Sequence, residues 1–458
     1  MENFNKKIVI IGGVAAGAKA ATKIKKMRPD FDVTIFTDEE YVSYSGCGMP
    51  YFIEGIVPTI DKLLVRSVED FNKEGIDVFT RHRCIKILRE EKKVLIKDLN
   101  SQVENLVDYD KLLLATGASP FYPPIENIGY DNIYPLRSLP DSLKIKEKME
   151  KSKTVTIIGG GYNAIELLEA FVHKGLKVTL ITDGMYLMNQ FDLDMAKLIH
   201  ENVLKMHPEQ VKIIAGEPVV SFTGENNYAS KAITVRGTEV KSDFFVLCTG
   251  IHPNSQIAMK AGLETGMRKA IRVNQYMQTS DENIYAAGDC CEKTGFITGA
   301  KVYNGLGSIA NKEGRVAAIN IAGGKETNPG TLLSAITKYF NFNISMSGLT
   351  EIEASDYGIK TISATVTKRD RAGYMPGVEN ITVKLIADKE TSRIIGIQAV
   401  GFGDVDKRVS TTSVAIQSGM KVKDFMHIDL PYAPPFSSVL DVLHICGNIL
   451  NDKIDTLK

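Results

Sequence analysis

The residue best suited to redox chemistry in this chain is a single cysteine, Cys47, in the stretch YVSYSGCGMPYF over residues 41–52. A lone thiol can carry redox equivalents by pairing with a small thiol or by cycling through sulfenic acid. Pro50 favours the first turn of a helix, so Cys47 would precede a helix N-terminus, whose dipole favours a thiolate. Gly46 and Gly48 would leave room for a planar ring beside the sulfur. On residue type alone, a small buried apolar residue remains the alternative.

Two glycine-rich loops each follow a predicted buried strand and precede a predicted helix: GGVAAG after KIVII, and GGGYNA after TVTII. Such glycines permit a tight turn and close helix packing, and the helix N-terminus faces a pyrophosphate. Two such loops predict two dinucleotides meeting head to head, and chance glycines in ordinary α/β loops are the alternative. The predicted binding residues are Gly12, Gly13, Val14, Ala15 and Gly17 in the first loop, and Gly159, Gly161, Asn163 and Ala164 in the second.

The acidic residue expected to bind each ribose is displaced by one position. Threonine ends both second strands, so Asp38 and Asp183, one step later, are the candidates. The stretch TDGMYLMNQFD over residues 182–192 contains no Arg or Lys that could hold a 2′-phosphate. The sequence therefore favours NAD over NADP at the second site.

Three further motifs at predicted strand ends carry a family resemblance: LLLATGASP (residues 112–120), LCTGIHPN (247–254) and IYAAGDC (284–290). Together with the two loops they resemble the flavin disulfide reductase superfamily. YSGCGMPYF, GLGSIANKEGRVAAINIAGG, PGTLLSAITKYF, SGLTEIEA and YAPPFS resemble its single-cysteine branch: coenzyme A-disulfide reductase, coenzyme A persulfide reductase, and NADH oxidase or peroxidase.

The resemblance implies bound FAD, with NADH as reductant and NADPH as the alternative. It implies that Asp289 binds the flavin ribityl chain, that Tyr162 covers the nicotinamide pocket, and that Glu166 lies on the helix beside that pocket. Further cofactor-binding positions implied by the family motifs are Ser43, Thr116, Gly117, Gly250, Gly288, Gly307 and Ala310.

The implied fold class is α/β, with two Rossmann-like dinucleotide-binding domains and a C-terminal α+β dimerisation domain. The FAD domain would be discontinuous, over residues 1–145 and 252–325. The NAD(P)H domain would span residues 146–251 and the dimerisation domain residues 326–458. Periodicity agrees for the last part, because TISATVTKRD and ITVKLIADKETSRIIGIQAVG alternate as strands, and RVSTTSVAIQSGMKVKDF is typical of helix, glycine, helix.

Within the branch, the first glycine loop favours coenzyme A chemistry. The oxidase and peroxidase members have a histidine where this chain has Ala15, and the coenzyme A-disulfide reductases have alanine. The resemblance thus implies reduction of coenzyme A disulfide, or of coenzyme A persulfide or polysulfide, through a Cys47 mixed disulfide. An NADH oxidase or peroxidase that cycles Cys47 through sulfenic acid is one alternative. A non-catalytic signalling protein that holds FAD and NAD is another.

Tyr374 and Tyr432 match tyrosines that, in the family, reach the other subunit's active site, where a phenol could protonate a departing thiolate. An interface role alone is the alternative for Tyr432. A homodimer with a shared site is implied. The candidates for coenzyme A contacts are Lys19, Lys23, Lys26, Ser43, Arg66 and Lys73, and a solvated basic face is the alternative reading of the lysines.

Composition excludes several classes of protein. The chain has 55 Lys plus Arg and 55 Asp plus Glu, so its net charge is zero. This balance does not indicate the excess of basic residues that nucleic-acid binding requires. The six cysteines have no zinc spacing, and no apolar run could span a bilayer, which favours a cytoplasmic protein without a metal or membrane partner. Cys84, Cys248, Cys290 and Cys291 carry no assigned role, and Cys446 could approach a partner subunit. No rhodanese motif follows, so any sulfur carrier would be a separate protein.

Overall fold

The structure is a computed structural model that describes residues 5–456. Up to residue 135 its elements are β1 (Lys7–Ile11), α1 (Ala15–Met27), β2 (Asp32–Phe36), α2 (Met49–Glu54), α3 (Val68–Lys73), β3 (Ile76–Phe79), β4 (His82–Leu88), β5 (Lys93–Asp98), β6 (Glu104–Asp108), β7 (Lys111–Leu114), β8 (Ala118–Pro120) and β9 (Ile133–Pro135). To residue 260 they are α4 (Leu139–Glu150), β10 (Thr154–Ile158), α5 (Tyr162–His173), β11 (Lys177–Thr182), α6 (Leu193–Met206), β12 (Val211–Ala215), β13 (Val219–Glu225), β14 (Tyr228–Thr234), β15 (Glu239–Lys241), β16 (Phe244–Leu247), β17 (Ile251–Pro253) and α7 (Gln256–Lys260). The rest are β18 (Ile284–Ala286), β19 (Lys293–Thr294), β20 (Lys301–Val302), α8 (Gly307–Ile321), β21 (Ala335–Tyr339), β22 (Phe342–Gly348), α9 (Glu351–Asp356), β23 (Thr361–Arg369), β24 (Asn380–Asp388), β25 (Ile394–Gly401), α10 (Val405–Gln417), α11 (Val422–Phe425) and α12 (Val442–Thr456).

A five-stranded parallel sheet carries the first glycine loop, in the order β18-β7-β1-β2-β3. The central strand β1 is apolar and buried over most of its length, as expected when helices cover both faces of a parallel sheet. Strand order reverses between β1 and β7, and α/β proteins bind ligands in the crevice at such a reversal. The first loop therefore opens onto a predicted ligand crevice.

A second parallel sheet, in the order β12-β11-β10-β16-β9, repeats this arrangement around the second glycine loop. A Cβ on Gly12 (φ +104°) would lie 2.1 Å from the Ala115 carbonyl oxygen. A Cβ on Gly159 (φ +119°) would lie 2.2 Å from the Cys248 carbonyl oxygen. Both turns thus require glycine for the same reason, and the predicted strand–turn–helix context of both loops is confirmed.

The C-terminal part is built on an antiparallel sheet in the order β21-β22-β25-β24-β23. The predicted strands over TISATVTKRD and ITVKLIADKETSRIIGIQAVG are confirmed as β23, β24 and β25. The predicted helix–glycine–helix is α10 and α11, separated by Gly419 at φ +67°. Helix α12 packs on β23 and β24 and closes this core.

Helix α8 packs unusually close to α1, which fixes both helices around the first loop. A Cβ on Gly17 would lie 1.9 Å from the Gly12 carbonyl oxygen, and one on Gly314 would lie 2.3 Å from the Ala16 carbonyl oxygen. Glycine at position 314 lets α8 approach α1 at backbone contact, whereas Gly17 lets α1 pack against the first loop itself. Gly307 is the first residue of α8. Between residues 5 and 456, no helix has the length and apolar character needed to cross a membrane.

Candidate active site

A cavity of about 560 Å³ opens at the strand reversal of the first sheet. Its volume lies within the range of small-molecule and cofactor sites. The cavity brings together residues that lie far apart in sequence. Its lining includes the predicted residues Gly12, Gly13, Val14, Asp38, Thr116 and Gly117, and also Glu39, Tyr44, Gly46, His82, Arg83, Arg137 and Asn254.

The predicted Asp289 is paired with an arginine of this cavity. Arg137 Nη2 lies 2.9 Å from Asp289 Oδ2, and Arg137 Nε donates a 2.8 Å hydrogen bond to the Ala118 carbonyl. A carboxylate accepts sugar hydroxyls, and a guanidinium pairs with phosphate. Arg137 is a cavity residue that sequence reasoning missed, because no short motif joins it to Asp289.

Two acids, rather than one, follow β2 at the cavity edge. Asp38 Oδ2 lies 3.1 Å from Arg83 Nε, and Glu39 Oε2 accepts a 2.6 Å hydrogen bond from the Tyr44 hydroxyl. Burial raises the pKa of Glu39, while the Tyr44 hydrogen bond lowers it. Glu39 was missed although it directly follows the predicted Asp38, so either carboxylate is placed to accept ribose hydroxyls.

These residues fit FAD. The glycine loop offers backbone N–H groups for a pyrophosphate, and the acids after β2 can accept hydrogen bonds from ribose hydroxyls. Asp289, paired with the cavity residue Arg137, can accept hydrogen bonds from the hydroxyls of a ribityl chain. Gly288 has φ +84° and packs between α1 and α8. A Cβ on Gly288 would lie 3.2 Å from Ala16 Cβ. The described residues contain no cluster of three or more His, Cys, Asp or Glu that could hold a metal ion.

Cys47 lies in a 3₁₀ turn over Gly46–Gly48, directly before α2, whose first turn contains Pro50. Its predicted place before a helix is therefore confirmed. A Cβ on Gly307 would lie 3.9 Å from Cys47 Sγ, so the thiol faces the N-terminus of α8. Gly46 is open, as expected for room beside a ring, but a Cβ on Gly48 would lie 2.4 Å from Leu63 Cδ2. A side chain at position 48 would therefore require Leu63 to move.

The pKa of Cys47 is raised, contrary to the expected thiolate-favouring effect of the helix dipole. Desolvation is the largest cause, and the carboxylates of Glu166 and Asp289 add to it, while Arg137 opposes it. Although the residue is exposed, surrounding protein atoms still reduce the hydration of its sulfur.

Glu166, on α5, is the titratable group near Cys47 whose pKa is best suited to proton transfer at neutral pH. Burial raises its pKa to about 7, and a 3.1 Å hydrogen bond from the Thr337 hydroxyl opposes that rise. One turn further along α5, Glu169 pairs with Lys338 and accepts a 2.8 Å hydrogen bond from the Phe340 amide. Strand β21 thus holds the acids of α5 in place.

At the second glycine loop, Gly161 precedes α5, and a Cβ on it would meet no atom within 4 Å. Asn163 is exposed, whereas Ala164 is buried against the core. Tyr162 is half-buried, and burial raises its pKa to about 12. The predicted Asp183 is exposed at the end of β11, on the same side of the sheet as this loop.

Most of the remaining residues predicted to bind cofactor lie beside the glycine loops. Ser43 is buried in a left-handed conformation (φ +49°), and its amide donates a 2.8 Å hydrogen bond to the Gly13 carbonyl. Ala15 begins α1, and Ala310 is buried in the first turn of α8. Gly250, with φ +100°, accepts a hydrogen bond from the Phe121 amide where the two parallel sheets connect.

Tyr374 and Tyr432 lie together on an exposed face of the C-terminal part, and exposed Phe436 lines the same cavity as Tyr432. Partial desolvation and the neighbouring Tyr374 hydroxyl raise the pKa of Tyr432. A cavity of about 400 Å³ opens beside Tyr432 and Phe436. Within one chain, Tyr374 is the neighbour that affects the Tyr432 hydroxyl, whereas Glu166 and Asp289 are the carboxylates that affect Cys47.

The predicted cations on α1 share one face with Arg66. Arg66 Nη1 donates a 2.8 Å hydrogen bond to the Thr22 hydroxyl of α1, and its Nη2 pairs with Glu74 at 2.6 Å. Lys73 is exposed, 3.8 Å from Asp70. In the described part of the chain, no carboxylate forms an ion pair with Lys19, Lys23 or Lys26.

The other cysteines are less accessible than Cys47. Cys84 and Cys248 are half-buried, and Cys290 and Cys291 are buried beside the Lys293–Glu313 ion pair. The suggestion that Cys446 approaches a partner is wrong, because it lies in the core and its thiol donates to the Ala364 carbonyl at 3.1 Å.

Comparison with known proteins agrees with this geometry. Residues 6–346 match the family described as pyridine nucleotide-disulphide oxidoreductase, and residues 334–443 match its dimerisation domain. The chain is 39% identical over 453 residues to the NAD(P)H coenzyme A polysulfide/persulfide reductase of Pyrococcus horikoshii, covering 98% of this chain and 99% of that protein. It is 33% identical to an NADH oxidase of Methanocaldococcus jannaschii, covering 96% and 97%.

A solved structure of an NAD-dependent persulfide reductase from A. fulgidus superposes with a TM-score of 0.95 at 38% identity, covering 98% of this chain and 84% of that one. The predicted fold class and family resemblance are thereby confirmed. FAD and NAD(P)H are the cofactors of such proteins, as the first cavity and the second glycine loop lead one to expect. The chain belongs to the pyridine nucleotide-disulphide oxidoreductase family, with its dimerisation domain.

Proposed function

We propose that this protein uses FAD and NADH to reduce coenzyme A disulfide, or coenzyme A persulfide or polysulfide, through the single thiol of Cys47. The observation that carries the proposal is the placement of Cys47. Of the six cysteines it alone is exposed, and it faces the N-terminus of α8 beside the cavity that fits FAD. The name of the Pyrococcus horikoshii relative supports the same chemistry.

The Cys47 thiolate attacks one sulfur of the substrate and forms a mixed disulfide with coenzyme A, releasing coenzyme A thiol or, from a persulfide, hydrogen sulfide. The flavin, when bound, supplies transfer of two electrons from NADH. Those electrons break the mixed disulfide, which frees coenzyme A and restores Cys47. The balance is one NADH and one proton consumed for two coenzyme A thiols from the disulfide, or for one coenzyme A thiol and one hydrogen sulfide from the persulfide. Glu166, with a pKa raised to about 7, is placed to hold or release that proton near Cys47.

The coenzyme A phosphates would meet the cations of α1. Lys19, Lys23 and Lys26 form no ion pair within residues 5–456, so they are available to an anion. Arg66 is fixed on the same face by Thr22. Ala15 stands where the oxidases and peroxidases have a histidine beside the cysteine, which favours disulfide or persulfide over peroxide.

The active site would be shared across a homodimer. The exposed, largely apolar face around Tyr374, Tyr432 and Phe436 would be covered by the partner, so that each tyrosine serves the other subunit's Cys47. This assignment goes with a division into a flavin domain (1–145 and 252–325), a nucleotide domain (146–251) and a dimerisation domain (326–458). Six unpaired cysteines fit a reducing cytoplasm.

The test compares acceptors under anaerobic conditions and in air. Purified holoenzyme should oxidise NADH with coenzyme A disulfide or persulfide, and Cys47→Ser should retain FAD but lose this turnover. If the Ser variant kept the original rate, the single-thiol mechanism would be wrong. Wild-type NADH oxidation that needs oxygen and no disulfide would instead support the second candidate, an NADH oxidase, which the Methanocaldococcus jannaschii relative favours. FAD and NAD binding without turnover on any acceptor would support a binding protein.

A further inference from the structure

The loop over residues 183–191, which joins β11 to α6, lies against the second glycine loop. The Met188 amide donates a 2.7 Å hydrogen bond to the Gly160 carbonyl, and the Gln190 side chain lies close to the Tyr162 hydroxyl. The loop also begins with Asp183, the predicted ribose ligand. Its conformation therefore affects both ends of a bound nicotinamide nucleotide.

The next residue, Asp192, fastens this loop to the dimerisation domain. Its Oδ2 accepts hydrogen bonds from Gln398 Nε2 at 2.6 Å and lies 3.2 Å from Lys384 Nζ, and its Oδ1 accepts from the Glu351 amide at 3.0 Å. Its own amide donates to Gln398 Oε1 at 2.9 Å. All of these partners belong to the dimerisation domain rather than to the sheet that carries the loop.

Lys384 is the only cation of this network within the described residues. Its side chain is 4% exposed, and it also lies 2.8 Å from Asp194 and 2.6 Å from Glu351. Three carboxylates thus converge on one buried ammonium group. Without it, Asp192 and its acidic neighbours would repel one another in a poorly hydrated place, and the end of the loop would be released.

We propose that Lys384 is a positioning residue for NADH: through Asp192 it holds residues 183–191 in the conformation that binds the nucleotide. This inference rests on the proposed nucleotide site at the second glycine loop. It assigns to the dimerisation domain a role in binding the reductant. Because Lys384 acts on the loop and not on the reacting atoms, its loss weakens NADH binding and leaves the chemical step in place.

The experiment measures NADH binding and steady-state kinetics on the FAD-loaded dimer of Lys384→Met, Lys384→Arg and wild type. Lys384→Met should raise KM and the dissociation constant for NADH about tenfold, with kcat within about twofold. Lys384→Arg retains the charge and should recover most of the affinity. Amide exchange in residues 183–191 should be faster in the Met variant only.

Lys231→Met is the matched control, because Lys231 pairs with Glu239 on a surface hairpin of the nucleotide domain. It should leave all three measurements unchanged. If Lys384→Met does not fold, Asp192→Asn removes the central charge and should raise the same KM. Wild-type protein that fails to bind NADH would refute the proposed site itself. Wild-type binding with an unchanged KM in both variants, or a loss confined to kcat, would refute the positioning role.

Discussion

The buried ion pair behind the Gly288–Asp289 turn allows a quantitative prediction. Lys293 Nζ lies 3.0 Å from Glu313 Oε2, and both side chains are 1% exposed. The pair holds Gly288 on both sides, because Glu313 Oε2 accepts from the Gly288 amide at 2.9 Å and Lys293 donates to the Gly288 carbonyl at 2.5 Å. Lys293→Met removes the cation and leaves a buried carboxylate without its counter-ion, held only by the Gly288 amide and the nearby Cys291 thiol.

The loss of stability in Lys293→Met cannot exceed the free energy of protonating the Glu313 carboxyl. Glu313 Oε1 has no hydrogen-bond partner, and burial raises the pKa of Glu313 even beside Lys293. In Lys293→Met the carboxyl therefore takes up a proton on folding. With an unfolded pKa of about 4.3, this costs about 3.7 kcal/mol at pH 7 and about 1 kcal/mol at pH 5, at about 1.4 kcal/mol per pH unit. Breaking a buried pair typically costs about 3–5 kcal/mol, which agrees.

The sign of the pH dependence follows from the raised pKa. A carboxyl whose folded pKa exceeds its unfolded pKa binds more protons in the fold, so stability falls as pH rises between the two values. Guanidinium unfolding of the holoenzyme, followed by flavin release, should show the gap between wild type and Lys293→Met widening from pH 5 to pH 7. The double variant Lys293→Met/Glu313→Gln should lose this widening. A gap independent of pH in the single variant would refute the reasoning.

Three other outcomes are expected. NADH should give a higher kcat/KM than NADPH, since residues 182–192 contain no cation, and a preference for NADPH would show that a basic residue reaches the site from elsewhere. Tyr432→Phe should lower turnover with coenzyme A disulfide by about 10²–10⁴-fold while flavin content stays intact, and its verified heterodimer with Cys47→Ser should recover about half of wild-type activity if the two residues meet across subunits. Glu166→Gln removes a carboxylate that raises the Cys47 pKa, so iodoacetamide should alkylate Cys47 faster near pH 7, and an unchanged rate would contradict that coupling.

The parts of the fold that the sequence predicts are those set by local pattern. Gly12 and Gly159 lie in turns where only glycine fits, so their spacing from the flanking apolar strands is visible in the sequence. Strands β23 and β24 are visible because apolar and polar residues alternate along them, and β25 is visible as a short apolar run after a polar turn. Arg137 and Lys384 could not be found in this way, because their partners lie 152 and up to 192 residues away. Long-range ion pairs leave no periodic signal.

The pKa of Cys47 is raised, whereas the local sequence pattern predicts a stabilised thiolate, and this difference bears on the mechanism. The turn and Pro50 correctly predict the start of a helix. Glu166 and Asp289, which raise the pKa of the thiol, lie far from Cys47 in sequence and are not part of this pattern. For each unit by which a thiol pKa exceeds ambient pH, the thiolate fraction falls about tenfold, while intrinsic nucleophilicity rises about 2.5–3-fold at a Brønsted slope of about 0.4–0.5. The net loss is only about 3–4-fold per unit. A thiol whose pKa is raised by its surroundings therefore loses little of its reactivity toward a disulfide, so the raised pKa of Cys47 is compatible with a nucleophilic role.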